Sequence, residues 1–194
     1  MREESEPAKL LIVPGLHNSG PLHWQSWLQS LHRGAVRVEQ DDWEIPDLDG
    51  WAARIAGALE SCGPGPCLAV AHSFGCLALI RCLAKYAGRP AQAVKAALLV
   101  APADPDKFSV GTLLPHRHLG IPTTLVASAT DPWIRLETAQ AWALRWGSAW
   151  VNLGNAGHVN SASGHGPLPL AQEWVLGFAG GRLKNPVPRS ITTV

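Results

Sequence analysis

The chain is 194 residues long, 46% of them hydrophobic, with sixteen basic residues against fifteen acidic and a formal net charge of +1. That length suits one domain with a sizeable core, and a balanced charge without a basic stripe argues against nucleic acid as a partner. The charged amino terminus, Met1-Arg-Glu-Glu-Ser-Glu-Pro7, runs into only a short apolar stretch, so neither a signal peptide nor a membrane span is expected and a cytoplasmic location follows.

In chain order, residues 1–8 read as a flexible N-terminus and residues 9–180 as the folded domain. A first strand is predicted at 10–13, and a loop Pro14-Gly-Leu-His-Asn-Ser-Gly20 follows it. Trp24, Trp27, Leu28 and Leu31 then fall at helical spacing. A second strand is predicted at 35–39, and a second helix from Leu48, Trp51, Ile55 and Leu59, with Asp47 as its N-cap. Cys62, Cys67, Cys76 and Cys82 share one stretch without the spacing of a zinc site, and they read as buried free thiols; a Cys62 to Cys67 bridge is a minor alternative.

The most informative segment is Cys67-Leu-Ala-Val-Ala-His-Ser-Phe-Gly75. An apolar run of strand character stops at a small-x-Ser-x-Gly turn and continues as a helix that is apolar nearly all round, which belongs at the centre of the molecule. That is a nucleophile elbow, in which a tight turn presents a serine at the carboxyl end of a strand. Ser73 is therefore the candidate nucleophile, despite Ala71 standing where glycine is usual. A serine hydroxyl needs a base to take its proton and a carboxylate to orient that base.

Further strands are predicted at 96–100, 123–127 and 149–153, with a helix between the last two carrying Ala139, Trp142, Ala143 and Trp146. Asp131 lies just past the fifth strand and His158 just past the sixth, so the order is Ser, Asp, His. Asp104 competes as the acid but sits in a surface-like Ala-Asp-Pro-Asp turn. His165 competes as the base from farther along, and His72 should point away from the site and pack against or hydrogen-bond the scaffold. The backbone N–H groups of Phe74 and Leu16, with His17 next in line, are candidates for an oxyanion hole. Trp24, Trp43 and Trp133, with His17, are candidates for an apolar substrate pocket.

Alternating strands and helices predict a three-layer α/β/α sandwich on a mainly parallel sheet of about six strands. Nothing between strands is long enough for a large cap, 102–122 being the one candidate. Residues 181–194 read as a mobile tail.

With the elbow, the 14–20 loop, Gln40-Asp-Asp-Trp-Glu-Ile-Pro46, Ser128-Ala-Thr-Asp-Pro-Trp133 and Ala156-Gly-His-Val-Asn160 in this order, the chain resembles the retinoblastoma-binding protein 9 / YdeN type of small serine hydrolase. The resemblance spans residues 9–178 and implies a compact α/β-hydrolase fold without a large cap. It also implies a carboxylesterase-like enzyme that forms an acyl-enzyme, with Ser73 as nucleophile, Asp131 as acid and His158 as base. The partner so implied is a small-molecule acyl substrate, with no metal or organic cofactor. The retinoblastoma partner in the family name does not transfer from any residue here. Two alternatives stay open: a non-catalytic protein-binding module on the same fold, and perhydrolase or carbon-carbon hydrolase chemistry.

Overall fold

The structure, a computed structural model, describes residues 8–88 and 90–179. The expectations for residues 1–7 and for the 181–194 tail lie outside the described residues.

Six strands form a single parallel sheet in the order β2-β1-β3-β4-β5-β6. They are β1 (Lys9–Val13), β2 (Val36–Arg37), β3 (Cys67–His72), β4 (Val94–Val100), β5 (Thr123–Ala127) and β6 (Ala149–Asn152). Five helices connect or follow them: α1 (Trp24–Leu31), α2 (Leu48–Ser61), α3 (Phe74–Lys85), α4 (Leu136–Trp146) and α5 (Pro169–Ala179). The 102–122 stretch contains two short 3-10 turns, Pro105–Phe108 and Gly111–Leu113, and no cap helix.

Alternate strand residues face opposite sides of a sheet, and both sides of this one are covered. Leu11, Val13, Ala69, Ala71, Ala97 and Leu99 pack under α2, α3 and α4. Leu10, Ile12, Leu68, Val70, Leu98 and Val126 pack against α1 and α5. This burial on two faces is why the strands read as unbroken apolar runs. The expected stripes of α2 and α4 are buried, and Asp47 caps α2 by accepting from the Gly50 N–H at 3.1 Å. All four cysteines are unbridged, and burial pushes the Cys67 and Cys82 thiols up to about 12, which keeps them unreactive.

Two expectations need correction. β2 covers two residues rather than five, because it is an edge strand paired on one side only, at Leu11 and Ile12. In α1, Leu31 is half exposed while Gln25 is fully buried. Polar satisfaction, which apolar spacing does not register, decides that orientation.

The strand order reverses between β1 and β3, and in open parallel sheets ligands bind in the crevice beyond the strand ends at such a switch. The 14–20 loop leaves β1 there and Ser73 leaves β3. Among the described residues, no helix is long and apolar enough to cross a membrane.

Candidate active site

Ser73 stands between β3 and α3 at φ 53°, ψ −127°, a left-handed backbone position that costs a side-chain-bearing residue about 1–3 kcal/mol. The surroundings hold it there. Its N–H donates to Val100 O at 3.1 Å. A Cβ on Gly75 would lie 2.2 Å from Pro14 O and 2.8 Å from Val13 O, and one on Gly15 would lie 2.7 Å from Ser73 Cβ. Both glycines are needed because the β1 loop crosses directly over the elbow.

The structure brings Ser73, His158 and Asp131 together from three strand ends. Ser73 Oγ lies 2.8 Å from His158 Nε2, and His158 Nδ1 lies 2.9 Å from each Asp131 oxygen. A carboxylate only accepts, so Nδ1 carries the imidazole proton and Nε2 is left to accept from the serine hydroxyl. The Asp131 side chain is sealed from solvent, and its Oδ1 also accepts from Trp133 N–H at 2.8 Å.

His158 is fixed by backbone and scaffold alike. It sits between Gly157 at φ 58° and Val159 at φ 48°, and the Val159 side chain is fully buried. The competitors lie elsewhere in the geometry: Asp104 caps a 3-10 turn through Asp106 N–H. His72 Nε2 donates to the carbonyl of His158 at 2.9 Å, the scaffold role expected of it.

Phe74 opens α3, where the first N–H groups have no intrahelical acceptor. Its ring is buried edge-on against Trp51 at 5.1 Å. Leu16 lines the same cavity as Ser73. The His17 N–H donates to Trp43 O at 3.0 Å, so this amide is already committed and Leu16 is the better donor from the loop.

The cavity over Ser73 has a volume of about 380 Å³ and is lined by Leu16, His17, Asn18, His23, Phe108, Trp133 and Asn160, among others. Of the three tryptophans expected there, Trp133 is present, its ring 6.1 Å from that of His158. The other two are not. Trp24 is fully buried in the core, its ring edge-on to His72, and Trp43 stacks edge-on against Trp51. The bulk of an indole favours the interior when a helix turns it inward, and the wall is more polar than the apolar pocket expected. His17 remains on the wall, its ring bonded to Glu44 at 2.9 Å.

Spacing did not announce two positioning networks. Gln25 Nε2 donates to Val13 O at 3.0 Å and Val70 O at 3.1 Å, while its Oε1 accepts from Ser19 Oγ at 2.6 Å. One buried side chain thus ties the carboxyl ends of β1 and β3 to the 14–20 loop. Arg37 clamps the same loop from outside, donating to Asn18 Oδ1, Ser19 O, Ser26 Oγ and Gln29 Oε1 within 3.1 Å. On the far side, Ser128 Oγ bonds Gly154 O and Ala156 N, and Thr130 Oγ1 accepts from Gly157 N–H. These bonds stitch the Asp131 loop to the His158 loop.

The sequence matches the family described as serine hydrolase over residues 10–176. Among solved structures, a protein described as a YdeN-like hydrolase from Pectobacterium atrosepticum is 32% identical, with 91% of this chain and 93% of that chain covered and a TM-score of 0.84. The ydeN gene product of Bacillus subtilis is 20% identical, with 90% and 99% covered and a TM-score of 0.71. The carboxylesterase CesB of B. subtilis, at 13% identity, 93% and 86% coverage and a TM-score of 0.63, shares the fold. None of the curated proteins matches the sequence.

Proposed function

Since the chain belongs to the serine hydrolase family, we propose that it cleaves a small ester or related acyl bond through Ser73, His158 and Asp131. The observation that carries this reading is the unbroken hydrogen-bonded line from Ser73 Oγ through both nitrogens of His158 to a sealed carboxylate, at 2.8 and 2.9 Å. Such a line moves a proton off the hydroxyl at the moment the oxygen attacks.

In the first step Ser73 Oγ bonds to the substrate carbonyl carbon while His158 Nε2 takes the hydroxyl proton. Asp131 holds Nδ1–H and stabilises the imidazolium without taking the proton itself. The negative charge that develops on the carbonyl oxygen falls to the N–H groups of Phe74 and Leu16, and losing one such donor typically lowers turnover about 10²- to 10³-fold. His158 then returns the proton to the leaving oxygen or nitrogen, the bond to carbon breaks, and an acyl-enzyme remains. A water, deprotonated by the same nitrogen, reverses the sequence and frees the acid. None of these steps draws on a metal or organic cofactor, and the partner is a small acyl substrate.

The test is labelling with a fluorophosphonate, in which a serine oxygen to phosphorus bond forms as fluoride leaves. We expect stoichiometric labelling of the native protein and none in Ser73→Ala. Labelling that survives in Ser73→Ala, or a native protein that does not react, overturns the assignment. In Asp131→Asn, ester turnover should drop about 10⁴-fold with the fold intact.

A further inference from the structure

One polar group in the cavity has no part in the mechanism above. His23 is the N-cap of α1, and its Nδ1 accepts from the Gln25 N–H at 3.1 Å. That bond fixes the tautomer: Nδ1 is bare and Nε2 carries the proton. His23 is 4% exposed and lines the cavity that holds Ser73, and its Nε2, sealed in the cavity wall, has no hydrogen-bond partner among the described residues. A buried donor left unpaired bears its desolvation cost without compensation, so it has a standing demand for an acceptor.

Its neighbours do not meet that demand. His72 packs edge-on at 4.7 Å between ring centres, and no hydrogen bond joins the two rings. Burial first, and then the charge of Arg37, lower the His23 pKa to about 4. The group is therefore a neutral donor near pH 7, suited to an uncharged oxygen.

Two more residues of the wall point the same way. Asn18 Oδ1 is committed to Ser19 N–H and Arg37, and Asn160 Oδ1 to the N–H and hydroxyl of Ser163. In each the acceptor end is used by the scaffold, which leaves the amide NH₂ as the free end. Three cavity residues thus have their acceptors occupied and, among the described residues, their donors unspent.

We propose that the cavity beside Ser73 selects substrates whose chain carries an oxygen acceptor a few atoms from the scissile carbonyl, with His23 Nε2–H as the group that reads it. The proposal deepens the hydrolase reading and rests on Ser73 being the nucleophile. It replaces the apolar acyl pocket that the tryptophans suggested. At about 380 Å³ the cavity fits short ether-, oxo- or alkoxy-substituted chains. A plain alkyl chain fits the volume equally but leaves the donor unpaired, which is the kind of difference that discriminates strongly between substrates.

The experiment uses two fluorophosphonates of equal chain length, one all-carbon and one with an ether oxygen in the chain, and compares their second-order rates of reaction with the native protein and with His23→Asn. Asparagine keeps the capping acceptor but is too short to carry a donor to the Nε2 position. We expect the native protein to favour the ether probe about tenfold, and the preference to collapse to about twofold or less in the variant. Intrinsic reactivity cancels in the ratio of ratios. Labelling at equal rates, or a preference unchanged in His23→Asn, overturns the subsite and leaves the hydrolase reading standing. No labelling by either probe removes that reading itself and the subsite with it.

Discussion

At the amino-terminal ends of the strands the chain turns through the left-handed region at Gly34, Gly63, Gly65, Gly120 and Gly147. At the carboxyl-terminal ends it makes the same kind of turn at Gly154, Gly157 and Gly164, and also at six residues that carry side chains, His17, Asn18, Ser73, Ala101, Ser109 and Val159, with φ between 46° and 63°. Glycine enters that region without steric cost and brings no side chain, while any other residue there carries strain. At the end where the sheet only has to turn, relief of strain wins. At the end where groups must be aimed, strain is accepted at positions where a side chain has something to meet: Ser73 presents its hydroxyl, Asn18 receives Arg37, and Val159 anchors the loop of His158 in the core. The strain is borne by the surrounding hydrogen bonds and packing.

The largest effect should come from adding a methyl where the strained end is most crowded. Gly75→Ala sets a Cβ against two backbone carbonyls of the β1 loop, and neither can rotate away as a side chain would. The loop must retreat, taking the Leu16 N–H with it. We expect a loss of about 3 kcal/mol or more in urea unfolding and fluorophosphonate labelling far below that of the native protein. Unchanged labelling in a stable Gly75→Ala would show that the close approach is not what positions the elbow.

The second effect is acid sensitivity confined to the same rim. Burial, reinforced by Arg37 and His158, lowers the His23 pKa from 6.5 to about 4, and burial also drives that of His72 well below its ordinary value. The unfolded chain therefore binds protons before the folded one as the pH falls. Stability is whole above about pH 6.5 and is lost on descending toward pH 4. His23 alone contributes roughly 3 kcal/mol to that loss. Asp49, held low by Arg81 and Lys85, adds in the same direction from an exposed site, so the informative quantity is a difference. His23→Asn should flatten the fall in unfolding free energy between pH 6.5 and 4, and an identical slope in both proteins would mean that His23 titrates normally.

The contrast between the two ends also explains what could be read without coordinates. Ser73 was legible because an apolar strand, a small-x-Ser-x-Gly turn and an apolar helix are each local patterns. Asp131 and His158 were legible because each follows a strand whose composition is plain, and chain order supplied the pairing. Gln25 was not, since a buried glutamine looks like a solvent-facing one until its three partners, from β1, β3 and the 14–20 loop, are seen in space. Trp24 and Trp43 misled for the converse reason: nearness in sequence to a loop at the right end says nothing about which way an indole turns. The donor character of the cavity was hidden as well, because it depends on which end of Asn18, His23 and Asn160 the scaffold consumes. α5 also escaped the spacing, although Leu170, Ala171, Trp174 and Val175 close the second face of the sheet.

The smallest effects separate strain that is used from strain that is merely tolerated. Gly34, at φ 85°, has open space around a would-be Cβ, so Gly34→Ala meets no clash and costs only the left-handed backbone. About 1 kcal/mol is expected, or a fall in Tm of about 2–4 °C for a chain of this size, with labelling unaltered. Ser109 is the mirror case. It ends a 3-10 turn at φ 55°, is exposed, and its side chain makes no hydrogen bond among the described residues. Unlike Ser73 or Asn18, it gives nothing back for its strain. Ser109→Gly should therefore stabilise the protein by something under 1 kcal/mol, the relief of strain being partly offset by the greater freedom glycine gives the unfolded chain. If Ser109→Gly instead lowers Tm, that side chain holds the turn after all, and Ser109 joins Ser73, Asn18 and Val159 among the strained residues whose side chains are used.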